Sequence, residues 1–230
     1  MRISYDLHIH SCLSPCGDND MTPNNIINMA VLLGLDAIAV SDHNSALNLP
    51  AIFEVAKNTN LVVVPAIEVC TNEEVHMLCL FYTLEDVIQF GNEINDVLPP
   101  IQNNEAIFGR QLIMDCNDCV IGNEPKLLIN ALSIGIDKLL KITEKYNGIA
   151  IPAHVDKSSN SIISNLGYIP DDYNFSCIEL KNSQSVVAFE GMRISNSDAH
   201  YLEHIEEPTN FLDIQEKSVR GIIDKLKGIS

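Results

Sequence analysis

Two histidines near the N-terminus, His8 and His10, are separated by one residue and follow a short apolar run that begins at Ile3. In a β-strand, residues two apart point to the same side, so both imidazoles would face one direction. Neutral imidazoles are common ligands of zinc and other transition metals. An N-terminal strand with two incidental polar residues is the alternative, and the rest of the chain must decide between these interpretations.

Further histidines and carboxylates lie at or beside the positions where strands are predicted to end. Besides the first pair, these residues are His43, Glu68, His76, His154, Asp198 and His200. Together they offer enough nitrogen and oxygen donors for two or three divalent metal ions. A carboxylate such as Glu68 can bridge two ions, which in two-metal hydrolases lie roughly 3.5–4 Å apart. The sequence therefore predicts a metal centre with more than one ion.

Short apolar runs alternate with helical patterns along the chain, which predicts an α/β fold with a parallel sheet. The first helix is expected from the N-cap Thr22 and Pro23 to Gly34. Further helices are expected at 49–57, 84–97, 133–145 and 218–227. The candidate ligands lie at strand ends spread over the whole chain, as in barrel active sites, whereas a doubly wound sheet concentrates its chemistry at one switch point. We therefore expect a β/α barrel.

The length of 230 residues fits one domain, 1–230, with a sizeable core. Segment 101–126 breaks the alternation and is expected to be a loop with a small hairpin around Asn117-Asp118. Seven scattered cysteines in a chain without a visible signal peptide are interpreted as reduced thiols. The sequence contains no apolar stretch long enough to cross a bilayer. We therefore expect a cytoplasmic protein without a membrane partner.

The formal net charge is −17, which opposes binding to long nucleic acids because their affinity comes largely from basic residues on phosphates. The sequence also contains no cluster of lysines and arginines. Metal ions held by carboxylates would neutralise part of the negative charge. From these observations we expect no long nucleic acid as a partner.

In chain order, the candidate ligands lie in five short motifs. They are Asp6-Leu7-His8-Ile9-His10-Ser11, Ser41-Asp42-His43-Asn44, Ile67-Glu68-Val69, Pro152-Ala153-His154 and Ser197-Asp198-Ala199-His200. This series resembles the motifs of the PHP (polymerase and histidinol phosphatase) family over nearly the whole chain. The resemblance implies a distorted seven-stranded, TIM-like β/α barrel with a trinuclear metal centre that hydrolyses phosphate esters. Zinc, manganese and iron all stay open as the metal.

The resemblance also implies how the ligands are shared among the ions. The implied groups are His8, His10, Glu68 and Asp198 for the first ion, Glu68, His76 and His154 for the second, and His43 and His200 for the third. His76 lies in a strand in which it alternates with apolar residues. A half-buried core histidine is therefore the alternative at that position.

The third ion lacks one ligand, because Pro15 stands five residues after His10, where many relatives have a histidine or an aspartate. Alignment backwards from Thr22-Pro23 places Asp18 at the ligand position, and we favour this residue. Asp20 and Cys16 are alternatives in the same loop, and a cysteine ligand would favour zinc at the third site. A simple turn with a weak third site is the remaining alternative.

The resemblance implies hydrolysis of a small phosphate monoester by a metal-activated water, which His8, His10, Glu68 and Asp198 hold through their ions. Lys157 matches the position of an arginine that contacts phosphate in many relatives, and Arg110 and Lys181 are weaker candidates. Asn44 is expected to order the loop after His43. A PHP-type nuclease, acting on oligonucleotides or nucleoside bisphosphates, is the alternative, and a non-catalytic metal-binding module is a third. The sequence does not indicate the oligomeric state.

Overall fold

A computed structural model describes residues 1–229 as an α/β fold with eleven strands and seven α-helices. The strands are β1 (Arg2–Ile9), β2 (Ala37–Val40), β3 (Val62–Val63), β4 (Ala66–Cys70), β5 (His76–Leu80), β6 (Leu112–Met114), β7 (Val120–Asn123), β8 (Ile149–Pro152), β9 (Cys177–Leu180), β10 (Met192–Ser195) and β11 (Phe211–Asp213). The helices are α1 (Pro23–Leu33), α2 (Leu49–Ala56), α3 (Leu84–Val97), α4 (Glu105–Phe108), α5 (Ile136–Lys145), α6 (Ile162–Leu166) and α7 (Val219–Leu226). The predicted α/β class is confirmed.

The strands of the described chain pair in four sheets, with the orders β11-β1-β2-β3, β4-β5-β8, β9-β10 and β6-β7. The pairs β1–β2, β2–β3 and β9–β10 are parallel, as predicted. The pairs β4–β5, β5–β8 and β1–β11 are antiparallel, so the prediction of a parallel sheet is wrong for these strands. No closed barrel is formed by the pairing within residues 1–229, and the predicted seven-stranded barrel is not confirmed.

Isolated β-bridges and backbone hydrogen bonds join neighbouring sheets near the ends of their strands. Isolated parallel bridges pair Ile9 with Ala199 and His43 with Glu68. The backbone amide of Val155, just after β8, donates to the carbonyl of Glu179 on β9 at 2.9 Å. These contacts place the ends of strands from three different sheets side by side.

Local signals in the sequence explain most helix boundaries. Thr22 accepts a hydrogen bond from the amide of Asn25, Pro23 opens α1, and Gly34 ends it with a φ of 77°. Helix α5 begins at Ile136, three residues after the expected start at 133, with Gly135 at its N-cap. The hydroxyl of Ser133 instead donates to the carbonyl of Val97 at 2.9 Å, which joins this loop to the end of α3.

Segment 101–126 contains α4 and the antiparallel hairpin β6–β7, which packs against the loop between β1 and α1. The amide of Leu112 donates to the carbonyl of Cys12 at 2.9 Å. At the tip of the hairpin, Asp118 accepts from the hydroxyl of Thr22 at 2.7 Å and from the amide of Asn24 at 3.0 Å. The hairpin therefore supports the loop that follows His10.

None of the helices within residues 1–229 is both long and apolar enough to cross a membrane. The cellular compartment stays a prediction.

Candidate metal centre

Glu68, on β4, lies at the centre of a buried group of histidines. Its Oε1 atom lies 2.8 Å from Nδ1 of His76 and 3.2 Å from Nε2 of His154, and its Oε2 atom lies 3.1 Å from Nδ1 of His43. The residue is 1% exposed. A carboxylate so far from water is costly unless cations or protons compensate its charge. The surrounding imidazoles must therefore carry protons or metal ions.

His8 and His10 approach the same carboxylate from the end of β1. Nε2 of His8 lies 3.4 Å from Oε1 of Glu68, and Nε2 of His10 lies 3.3 Å from Oε2. Both nitrogens also face Oδ1 of Asp198, at 3.6 Å and 3.3 Å respectively. The donor atoms of His8, His10 and Asp198 all lie within 4.8 Å of one another. This is a suitable spacing for three ligands around one ion.

Hydrogen bonds determine which nitrogen of each of these imidazoles is free to bind a metal. Nδ1 of His8 lies 3.0 Å from the carboxylate of Glu179 and must donate to it. Nδ1 of His10 lies 3.0 Å from the hydroxyl of Ser14, whose own hydrogen goes to Asp42 at 2.7 Å. Since the Ser14 oxygen therefore accepts from His10, the nitrogen of each ring that is left to bind a metal is Nε2, which points towards Glu68.

Glu179 contacts the candidate ligands, and our sequence analysis did not include it among the site residues. It is 2% exposed, and it accepts hydrogen bonds from His8, from the amide of His154 at 2.8 Å and from Asn196 at 2.7 Å. It thus fixes two candidate ligands, one on β1 and one just after the end of β8. The available signal was a carboxylate within the otherwise apolar strand β9 (Cys177–Leu180).

Two candidate ligands have a backbone conformation that non-glycine residues rarely adopt. The φ angles of His154 and Asp198 are 29° and 53°. Such conformations cost on the order of 1–3 kcal/mol each and cluster at functional sites. Both residues leave a strand at this point, and the left-handed turn directs their side chains to the group around Glu68.

A third group of donors lies on the other side of His10. The donor atoms of His10, Cys16, His43 and His200 all lie within 4.8 Å of one another. Asp18, which we favoured in this position, is absent from every group of donors found in residues 1–229. Its Oδ1 atom instead accepts from the amide of Asp20 at 2.8 Å, which closes a turn. The loop therefore brings Cys16, and not Asp18, to these imidazoles.

The residues of this site fit a metal centre by two criteria. Nδ1 of His43 and Oε2 of Glu68 are buried and lie 3.1 Å apart, yet neither has a hydrogen-bond partner within the described chain. Buried polar atoms without partners are uncommon and need an explanation such as a bound ion. The donor types, imidazole, carboxylate and thiol, are those that bind zinc, manganese and iron.

Without an ion, the buried carboxylates strongly affect the protonation of the histidines. Burial alone would lower the pKa of His8, but Glu179 and Glu68 outweigh it and raise that pKa well above its usual value. The pKa of His76 rises to about 10, because Glu68 likewise outweighs its burial. Burial and the neighbouring His10 lower the pKa of His200 to about 4. The metal-free site therefore holds positive charge on His8, His10 and His76, but not on His43, because burial lowers the pKa of His43 well below its usual value.

Addition of zinc to the metal-free protein at pH 7 is expected to release protons. His8 and His76 are protonated at this pH because their pKa values are raised, and an imidazole must lose that proton to bind a metal. Affinity is therefore expected to fall as the pH is lowered. Calorimetric titrations in buffers of different ionisation enthalpy measure the protons released. Binding without proton release, or affinity that rises towards acidic pH, would contradict this expectation.

Lys157 is the only lysine or arginine, among residues 1–229, that lines the cleft above the site. This cleft has a volume of about 320 Å³ and is also lined by His43, His154 and His200. Nζ of Lys157 lies 2.5 Å from Oδ2 of Asp198. Arg110, by contrast, is 63% exposed, lies 3.9 Å from Glu105 and does not line this cleft. The structure brings Lys157 to the candidate ligands but not Arg110.

Residues 6–181 match the family model of the PHP domain, and the chain belongs to this family. The resemblance found in the sequence is thereby confirmed. Membership of this family also confirms the prediction of a metal-dependent hydrolase.

Relatives with known names include nucleases and a phosphoesterase. A segment of 83 residues, 34% of this chain, is 30% identical to the 5'-3' exoribonuclease Rnm of Salmonella typhimurium and spans 27% of that protein. The lesion-specific endonuclease Q of Pyrococcus furiosus aligns with the whole chain at 19% identity and a TM-score of 0.69, over 57% of its own length. A proposed metal-dependent phosphoesterase of Bifidobacterium adolescentis is 16% identical, with a TM-score of 0.63. That alignment covers 96% of this chain and 95% of the other.

The exclusion of long nucleic acids, based on net charge, is wrong. The exoribonuclease acts on RNA by its name, and endonuclease Q has been solved with a 27-mer duplex at its active site. The prediction failed because the formal charge of −17 describes the protein without its metal ions. It includes the carboxylates around the site but not the bound cations, which are often the largest local charges in such a site.

Proposed function

We propose that the protein hydrolyses phosphate esters at a centre of two or three divalent ions. The proposed ligands are His8, His10, His43, Glu68, His76, His154, Asp198 and His200. The observation that carries this proposal is the contact of one buried carboxylate, Glu68, with five imidazoles at 2.8–3.4 Å. A core histidine at position 76 would not require such a contact, so we assign His76 to the centre.

The ions, when bound, would lower the pKa of a coordinated water and neutralise charge on the phosphoryl oxygens. The protein's own residues determine where this chemistry takes place. Glu179 and Ser14 hold His8 and His10 with Nε2 facing inwards. Asn44 donates to the carbonyls of Leu128 and Asn130 at 2.7 Å and 2.9 Å, which fixes the loop after His43.

Lys157 is proposed to bind the phosphate group of the substrate. Its ammonium group pairs with Asp198, and its side chain is 35% exposed in the cleft. Asp198 is also a proposed metal ligand, so a bound ion would compete with Lys157 for this carboxylate. We propose that the ammonium group then contacts the phosphate.

Two substrate classes are compatible with this site. A small phosphate monoester is supported by the size of the cleft, about 320 Å³, and by its single basic side chain. A nucleic acid or oligonucleotide is supported by the similarity to the exoribonuclease, which includes 34% of this chain. Both substrates would be hydrolysed at the same ligands.

A panel of phosphate esters, assayed with the metal-loaded protein, separates the two classes. The panel should contain small monoesters, nucleoside bisphosphates, short oligonucleotides, and RNA and DNA duplexes with and without an abasic site. Turnover of monoesters alone supports the first class, and turnover of phosphodiesters supports the second. No turnover of any ester, with bound metal verified, would contradict both enzymatic proposals and favour a binding module.

Substitution Lys157→Ala is expected to lower kcat/KM for the best substrate by roughly 10-fold. The loss follows from removing one charge-assisted contact to phosphate, which contributes on the order of 1.5 kcal/mol. Metal content should stay unchanged, because the lysine holds no ion. Lys181→Ala is a suitable comparison, since its ammonium group bonds the carbonyl of Ser197 outside the cleft. Unchanged kcat/KM in Lys157→Ala would exclude Lys157 from substrate binding.

A further inference from the structure

The loop between β1 and α1 carries one thiol at the mouth of the cleft. Of the seven cysteines, Cys16 is the one that lines this cleft, and it is exposed and free. Its sulfur lies within 4.8 Å of donor atoms of His10, His43 and His200. The His10 ring is close to the other two imidazoles, with centroids 4.6 Å from His43 and 4.4 Å from His200. Three imidazoles thus surround one accessible thiol.

The backbone of this loop fixes the position of the thiol. The amide of Gly17 donates to the carbonyl of Ser14 at 2.9 Å, and the amide of Asp18 donates to the carbonyl of His200 at 2.8 Å. A side chain at position 17 would place its Cβ atom 2.3 Å from the carbonyl oxygen of Ser11, so only glycine fits there. The turn therefore holds Cys16 beside His200, independently of any ion.

A second observation points to a ligand at the same corner of the site. Nδ1 of His43 is buried and has no hydrogen-bond partner in the part of the chain that the structure describes. The same is true of Oε2 of Glu68, which lies 3.1 Å from it and 3.3 Å from Nε2 of His10. The unsatisfied nitrogen belongs to His43, one of the three imidazoles near the thiol, and together with the unsatisfied oxygen that faces it this nitrogen indicates an ion bound next to His43.

We propose that Cys16 is a thiolate ligand of the ion held by His43 and His200, and that it makes this position selective for zinc, cobalt and cadmium over manganese and magnesium. Thiolate is a soft donor that zinc accepts at about 2.3 Å, whereas magnesium and manganese prefer oxygen donors. On binding, the S–H bond is broken, a metal–sulfur bond forms, and the proton passes to solvent. The proposal rests on the proposed metal centre but not on the identity of its substrate.

Cobalt titration of the metal-free protein tests this assignment without any activity measurement. A thiolate bound to cobalt gives a charge-transfer band in the near ultraviolet that imidazole and carboxylate ligands do not give. We expect the band in the unsubstituted protein, in Cys119→Ser and in Asp18→Asn, and its loss in Cys16→Ser. Cys119 is an exposed, free cysteine at the tip of the β6–β7 hairpin, which makes it a matched control. We also expect Cys16→Ser to weaken zinc binding by at least about 10-fold, since loss of a residue that only forms a hydrogen bond to a metal ligand already costs that much.

Two outcomes would overturn the proposal. One is a charge-transfer band that persists in Cys16→Ser, and the other is a thiol at position 16 that reacts equally fast with a thiol reagent before and after zinc is bound. Because Cys16 is exposed, the serine variant should fold, which circular dichroism verifies. If cobalt binds with the band but no ester is hydrolysed, the proposed function fails and the assignment of Cys16 stands.

Discussion

Substitution Glu68→Gln is expected to remove the metal centre and to lower turnover by on the order of 10³-fold or more. The carboxylate is the one group that contacts His8, His10, His43, His76 and His154, at distances of 2.8–3.4 Å. Metal ions supply several kcal/mol of transition-state stabilisation, and each 1.36 kcal/mol corresponds to a factor of ten in rate. An amide keeps the shape of Glu68 but cannot neutralise a cation.

Metal content by atomic spectroscopy and turnover of the best ester measure this effect. Glu54→Gln is the matched control, because Glu54 is 56% exposed and pairs only with Lys57 at the surface within the described chain. Added metal should not restore activity to Glu68→Gln. A variant that keeps its metal and turns over at the rate of the unsubstituted protein would disprove the central role of Glu68.

Substitution Glu179→Gln is expected to weaken metal binding by roughly 10–100-fold. This is the usual cost of losing a residue that forms a hydrogen bond to a metal ligand. The carboxylate accepts from His8, from the amide of His154 and from Asn196, and all three groups are donors. An amide must turn its NH₂ group towards one of them. A buried donor without an acceptor costs about 1–3 kcal/mol, so stability should fall as well.

This variant should differ from Glu68→Gln in its response to metal. Since Glu179 orients a ligand and binds no ion itself in our proposal, excess zinc should restore a large part of the activity. Titration of activity against metal concentration shows this as a shifted midpoint with a nearly unchanged plateau. An unshifted midpoint would mean that Glu179 does not position His8. A plateau that stays near zero would mean that it has a direct role in catalysis.

Much of the candidate site was predictable, because most of its candidate ligands lie in short local motifs. Buried apolar strands end shortly before His10, His43 and His154, as predicted, and the structure brings these residues to Glu68, which lies in the middle of β4 and not at a strand end. The caps of α1 and the hairpin at 112–123 were also local signals. These predictions needed only the order of residues along one element and the rule that the carboxyl ends of neighbouring parallel strands lie at the same edge of a sheet.

The directions of β4, β5, β8 and β11 could not be predicted from such signals. An apolar strand looks the same whether its partner runs parallel or antiparallel, and the short turn at 71–74 alone distinguishes the β4–β5 pair. For a related reason, our sequence analysis favoured Asp18 over Cys16 as the ligand of the third ion. Spacing fixes the number of residues in a loop, but the turn at Gly17 decides which side chain faces the imidazoles. Glu179 was missed because its partner, His8, lies 171 residues away.

The most direct test of a metal-dependent phosphoesterase is to measure ester hydrolysis against the number of ions bound. Metal-free protein, prepared with a chelator and verified by elemental analysis, would be titrated with zinc, manganese or iron and assayed with the ester panel at each step. We predict no turnover in the metal-free protein and turnover that rises with bound ions until two or three are present. Full turnover without any bound metal would contradict the account, and so would a protein that binds no ion at all.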